Sequence, residues 1–193
     1  FDAAPEIRHA TLGRPTPAVE MRLISETGGP AAIGEDGEIE IRGASVVPGY
    51  FGNDAANRHS YSEGGWFRTG DLAAVDTDGN FRITGRVKDV INRGGIKINP
   101  TDIEVLIDDH PSVMQSAIVP MSDSVLGEKG CVFVTLVEGE RVTLDEVLSY
   151  LEERGVAKFK WPERLEIVDV MPTTPTRKII KSQLAGRLAH SNE

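Results

Sequence analysis

The hydrophobic texture of the chain changes once. Up to about residue 87, apolar and polar residues alternate at a period of two between glycine-rich turns. From Asn99 onward, short apolar runs alternate with segments of helical period. A chain patterned in this way reads as a mostly β part followed by an α+β part. The stretch GRVKDVINRGGIKINP, Gly85 to Pro100, lies where the pattern changes and carries several charges and two adjacent glycines. It reads as a joint, with 1–87 on one side, 88–193 on the other and Lys88 at the boundary.

In the first part, PAVEMRLI and EIEIRG form a predicted hairpin, the second strand alternating across Glu38, Ile39, Glu40 and Ile41. A polar connection follows Tyr50. GWFRTGDLAAV and FRITG, joined by the turn DTDGN, make a second pair of strands. In the second part Asn99 is a predicted cap and Pro100 suits a first helical turn, with Ile103, Leu106, Ile107 and His110 on one face. Val113–Val119 and Cys131–Val137 are predicted strands. Thr143 and Glu146 have the spacing of a capping box for a helix ending at Gly155. Leu165–Val168 reads as a further strand and Ile179–Leu188 as a helix.

At 193 residues the chain is long enough for one or two buried cores. Thirty acidic against twenty-one basic residues leave a net charge of −9, which argues against a sequence-independent grip on nucleic acid. Cys131 is the only cysteine and lies in the apolar run GCVFVTLV, so it reads as a core thiol and no intrachain disulfide is possible. No apolar run approaches the ~18 residues of a membrane span, and no signal peptide is recognisable; the expected address is cytoplasmic. Phe1 is not an initiator, and the first segment opens without a hairpin partner, so a truncated chain is expected.

Candidate chemistry is sparse. Asp71 follows Thr69 and Gly70 at a strand end, where a carboxylate can accept hydrogen bonds from a diol or can simply hold a turn. DTDGN fails as a calcium loop, because Phe81 stands where glycine is needed and no bidentate Glu follows. Arg86 and Lys88 can hold a phosphate or remain solvated turn charges. Gly94 and Gly95 fit either a close backbone approach or a bulge. Lys178 lies in PTTPTRKIIK, where threonines and prolines stiffen the backbone behind a long cation. There is no Ser/His/Asp grouping, metal-ligand spacing or Walker loop.

The order of these blocks says more than any one of them. GEIEIRGASVVPGY, GWFRTGDL, DGNFRITGRVKDVINRGGIKINPTDIE and VAKFKWPERLEIVDVMPTTPTRKIIK follow one another at intervals that resemble the closing part of an adenylate-forming acyl-CoA synthetase. Peptide-synthetase adenylation domains and luciferases belong to the same superfamily. The resemblance covers nearly the whole chain. It implies a mobile α+β C-terminal domain preceded by a β subdomain of a large N-terminal domain, and a two-step reaction. A carboxylate attacks the α-phosphate of MgATP to give an acyl adenylate and pyrophosphate, and the pantetheine thiol of CoA then displaces AMP. Fatty-acid metabolism is one expected setting.

Carried over by position, Asp71 matches the ribose-binding aspartate and Arg86 the nucleotide-contacting arginine. Lys88 matches the hinge and Gly95 the loop lining the pantetheine tunnel. Lys178 matches the lysine that bridges the carboxylate and the α-phosphate. Phe159 and Trp161 fall near the segment that holds the CoA nucleotide in some relatives, where stacking on adenine and simple packing are both open. One departure concerns Arg177, which stands where the family usually has glycine; the expected effects are a stiffer loop and an added cation. The phosphate loop, the acyl pocket and the Mg2+-binding glutamate are absent and are expected before Phe1, so the chain alone is expected to be inactive. Two alternatives remain at this point: an enzyme that loads a carrier-protein pantetheine, and a binding module without chemistry.

Overall fold

The computed structural model describes residues 11–190. The chain divides into two compact units, one ending at Lys88 and the other beginning at Asp89. Both combine helices with mainly antiparallel sheet, an α+β architecture.

The first unit is a five-stranded sheet made of Val19–Ile24 (β1), Gly37–Gly43 (β2), Tyr61–Ser62 (β3), Trp66–Val75 (β4) and Phe81–Arg86 (β5). β1 and β2 form the expected hairpin, with Leu23 opposite Ile39. The long strand β4 is central. It pairs with β2 along one edge, and β3 and β5 share the other. Leu23, Ile39 and Ala73 form the small core. On the other face of β2, Glu40 is 2% exposed and is held between two guanidinium groups, Arg22 at 2.6 Å and Arg68 at 3.4 Å. A buried carboxylate needs such partners to offset its lost hydration.

The second unit runs Ile91–Arg93 (β6), Ile96–Ile98 (β7), Val113–Asp123 (β8), Gly127–Leu136 (β9) and Arg164–Ile167 (β10). Strand β9 pairs antiparallel with β8 on one edge; on the other it pairs with β10 in parallel and, at Gly127, with β6. Its apolar run is buried on both faces, and alternation sorts it into two cores. Val132 and Val134 join Ile103, Ile107, Val147 and Leu151 from helices Thr101–Asp108 (α2) and Leu144–Glu153 (α3). Cys131 and Phe133 join Leu184 and Leu188 from helix Lys181–His190 (α4). The sheet therefore carries α2 and α3 on one face and α4 on the other.

Burial pushes the Cys131 thiol up to about 12, with the nearby Glu166 carboxylate adding to the shift, so this cysteine is a core residue rather than a nucleophile. The edge strand β8 is capped by Glu104, whose Oε1 accepts from the Ile118 N–H at 2.5 Å and pairs with Lys181 Nζ at 2.7 Å. One carboxylate thus ties α2, β8 and α4 together and closes part of an open strand edge.

Three segments differ from the sequence reading. The polar connection after Tyr50 contains a helix, Asp54–Ser60 (α1), capped by Asn53 Oδ1 accepting from the Ala56 N–H at 3.0 Å. The joint is not a plain turn, since it holds a 3-10 turn at Val87–Asp89 and the β6–β7 hairpin. Asn99 accepts from the Thr101 N–H, but Pro100 occupies the cap position itself. The capping box of α3 forms as expected between Thr143 and Glu146.

The β8–β9 turn is held by Asp123. It pairs with Lys129 at 2.6 Å and accepts from the N–H groups of Val125 and Leu126, contacts that lower its pKa to about 2. A depressed carboxyl stabilises the fold above its unfolded value and loses that contribution as pH falls through the folded one. Asp123→Asn is therefore expected to unfold more readily than the parent at pH 7, with the difference shrinking as pH drops from about 4 towards 2. Denaturant unfolding of both forms across that range checks this; a deficit independent of pH contradicts it.

Candidate functional site

Asp71 owes its position to an irregularity in β4. Between the pairs Glu38↔Leu72 and Glu40↔Arg68, β2 has one residue where β4 has three, so Thr69 and Gly70 bulge out of the ladder. Gly70 takes a positive φ of 72°, which glycine adopts without strain. Thr69 Oγ1 repairs the interrupted ladder by donating to the Ile39 carbonyl at 3.0 Å and accepting from the Asp71 N–H at 3.1 Å. Across the sheet Asp71 faces Arg86, whose Nε donates to Asp71 Oδ1 at 2.7 Å. Among the described residues, Oδ2 of Asp71 accepts no hydrogen bond. Both side chains are partly exposed, so the pair is open to a ligand.

Beside the pair is a cleft of about 430 Å³. Its walls include Tyr50, His59, Arg68, Thr69, Arg86 and Lys88, a cationic lining in an acidic chain. Arg68 is one of the two arginines held by Glu40, and Arg86 is the partner of Asp71. Alternation alone marked Glu40 as a polar strand residue, and nothing in the sequence singled out Arg68. Lys88 is exposed at the end of this unit, within the 3-10 turn.

In the second unit Gly94 and Gly95 form a two-residue hairpin turn with φ values of 60° and 87°, the doubly positive geometry of a type I′ turn. The turn is held by Gly94 N–H donating to the Leu126 carbonyl at 2.7 Å and Gly95 N–H donating to Asn92 Oδ1 at 3.1 Å. A Cβ built on Gly95 would meet no atom within 4 Å, so the turn, not crowding within this unit, requires glycine there. Arg93 beside it is fixed by Glu163 at 2.7 Å.

Lys178 closes another tight hairpin. Thr173 bridges Ile179, the Arg177 N–H donates to the Thr174 carbonyl, and the Thr174 N–H donates to the Lys178 carbonyl, each of these two bonds at 2.8 Å. Thr174 Oγ1 also accepts from the Lys178 N–H at 3.1 Å and is 2.9 Å from Thr176 Oγ1. Pro175 sits inside the turn, where its fixed φ is an advantage. Arg177 has φ 63° and is the only non-glycine residue with positive φ among the described residues. That is the position at which a turn of this kind takes glycine. Lys178 itself is exposed.

Trp161 is packed against the α2/α3 core, its Nε1 donating to the Val156 carbonyl at 2.8 Å. Phe159 is 40% exposed. Among the described residues no group of three or more His, Cys, Asp or Glu side chains is arranged to hold a metal ion. No described helix is long and apolar enough to cross a membrane.

Residues 102–178 match the AMP-binding enzyme C-terminal domain family. Over those residues the chain belongs to that family. It is 41% identical over 99% of its length to a 2-hydroxy-7-methoxy-5-methyl-1-naphthoate–CoA ligase of Streptomyces carzinostaticus, covering 35% of that protein. It is 40% identical over 95% of its length to a salicyl-AMP ligase / salicyl-S-ArCP synthetase of Mycobacterium tuberculosis, covering 33%. The ATP-bound structure of MatB from Rhodopseudomonas palustris superposes with a TM-score of 0.88 at 30% identity, over 95% of this chain and 37% of that one. The chain thus spans about a third of the length of the curated relatives it matches. The two curated relatives are named for aromatic acids, and the expected setting in fatty-acid metabolism finds no support in them.

The departure at Arg177 has a structural consequence that its sequence did not disclose. The added cation comes with a left-handed backbone that costs an L-residue with a Cβ roughly 1–2 kcal/mol. Arg177→Gly is expected to stabilise the chain by about 0.5–1 kcal/mol, once the greater unfolded-state freedom of glycine is subtracted. Urea unfolding measures it; a less stable glycine variant contradicts the turn assignment.

Proposed function

We propose that this chain carries the nucleotide grip and the mobile catalytic part of an AMP-forming ligase that joins an aromatic acid to a pantetheine thiol. The observation that carries the reading is the Asp71–Arg86 pair, re-aimed by the Thr69–Gly70 bulge and open to solvent on the TGD and GR blocks. Asp71 accepts from the ribose hydroxyls, and Arg86 both orients Asp71 and faces the nucleotide.

In the first step a carboxylate oxygen attacks the α-phosphorus, and the bond to the bridging oxygen breaks, so that pyrophosphate leaves with the electron pair. Lys178 meets the carboxylate and the α-phosphate, where negative charge builds on the five-coordinate phosphorus. In the second step the sulfur of the thiol attacks the acyl carbon, AMP leaves with the electrons of the broken acyl–oxygen bond, and the thiol proton passes to solvent. The loop at Gly95 lines the path of that thiol. Lys88 is the pivot between the two steps, and Phe159 supplies an exposed ring at the CoA nucleotide. Trp161, bonded into the second unit, serves packing in this reading. The aromatic acid class is taken from the relatives, which include both a CoA ligase and an enzyme named for an ArCP thioester.

Full-length enzyme carrying this chain is the test material. Asp71→Ala is expected to weaken ATP binding by about 1.5–3 kcal/mol, the range for hydrogen bonds to a charged group. Unchanged affinity by calorimetry would make Asp71 a turn residue. Lys178→Ala is expected to fail in forming adenylate from an aromatic acid and ATP, yet to convert supplied aryl adenylate to the thioester. Adenylate formation at the parent rate would sink the role given to Lys178. Offering CoA and a pantetheinylated carrier protein side by side identifies the acceptor.

A further inference from the structure

The Lys178 hairpin presents two cations. Arg177 and Lys178 are adjacent and exposed, and among the described residues neither side chain has a hydrogen-bond or ion-pair partner. The chain has a net charge of −9, and these two neighbouring cations stand unpaired at one tip.

The tip is also built to stay in place. Pro175 restricts the backbone, Thr174 bonds the Lys178 N–H from its side chain, and the hairpin bridge closes just beyond. A glycine at 177 would fit this turn without strain, whereas arginine occupies it at φ 63°. Backbone strain of this kind points to a contribution made by the side chain. The arginine brings a planar fork that binds phosphate through two parallel hydrogen bonds.

We propose that Arg177 binds the departing pyrophosphate group of ATP, the β and γ phosphates, while Lys178 serves the α-phosphate; this rests on the role given to Lys178 above. Consecutive Cα atoms lie about 3.8 Å apart, so adjacent long cations from one rigid turn can reach adjacent phosphates of one chain. As the bond between the α-phosphorus and the bridging oxygen breaks, negative charge gathers on the pyrophosphate, and a guanidinium carried on this held turn stabilises that charge. The ligand class is a polyphosphate, and the residue is an anion contact added to a position that needs only a turn.

The test is pyrophosphate exchange in the full-length enzyme with ATP, an aromatic acid and inorganic pyrophosphate, using Arg177→Gly, Arg177→Asn and Arg177→Lys. Glycine and asparagine both tolerate the left-handed turn but lack the cation. Each is expected to raise the KM for inorganic pyrophosphate about tenfold, discounted for exposure, with lysine restoring part of the loss. A merely structural role would leave that KM unchanged in the glycine variant, whose backbone is relaxed. The inference is overturned if glycine and asparagine keep the parent KM for pyrophosphate while Lys178→Ala still fails to form adenylate, an outcome that leaves the reading of Lys178 intact. If Lys178→Ala forms adenylate normally while the glycine and asparagine variants raise the KM, the reading of Lys178 falls and the Arg177 contact stands.

Discussion

A strand buried inside a sheet must have both of its hydrogen-bonding edges covered, and in each unit one long strand meets this requirement by sharing one edge between two short partners. In the first unit β4 pairs with β2 along one side, and on the other its partner changes from β3 to β5. In the second, β9 pairs with β8 on one side and with β6 and β10 on the other. Candidate site residues lie close to these changes of partner. The bulge at Thr69–Gly70 falls between the β3 and β5 pairings and re-aims Asp71. The contact of β6 with Gly127 places the Gly94–Gly95 turn against the β8–β9 turn.

Burial on both faces of β9 explains why the second unit tolerates polar, exposed loops. Cys131–Val134 alternates between two apolar cores, so α2, α3 and α4 are anchored without help from the turns. The hairpins that carry Gly95 and Lys178 are held instead by backbone and threonine hydrogen bonds, which fix their shape while leaving their tips in solvent. In the first unit the corresponding support is electrostatic. Buried Glu40 holds Arg68, which lines the same cleft as Arg86 and Lys88.

Much of this was legible in the chain itself. Strict alternation found β1 and β2, the apolar run GCVFVTLV found β9, and the spacing of Thr143 and Glu146 found the start of α3. Helix α1 was not found because none of its residues is buried, so no amphipathic stripe marks it; Asn53 was its one signal. The β6–β7 hairpin was hidden by its three-residue strands, although paired glycines between two short alternating segments are a turn signal. Asp71, Arg86 and Lys178 stood out through the order of the blocks. What could not be read was the geometry between them: the bulge beneath Asp71, its pairing with Arg86, and the left-handed backbone at Arg177. Each depends on register or dihedral angles, which residue types alone leave open.

In the proposed function one chain serves two half reactions through charges and glycines on two units, with Lys88 as the pivot. The most direct measurement is the rate of each half reaction in full-length Lys88→Pro enzyme, adenylation by pyrophosphate exchange and thioester formation by product assay. Proline fixes φ and removes the N–H at residue 88. Thioester formation is expected to fall much more than adenylation, whereas equal loss of both rates would contradict a pivot at Lys88.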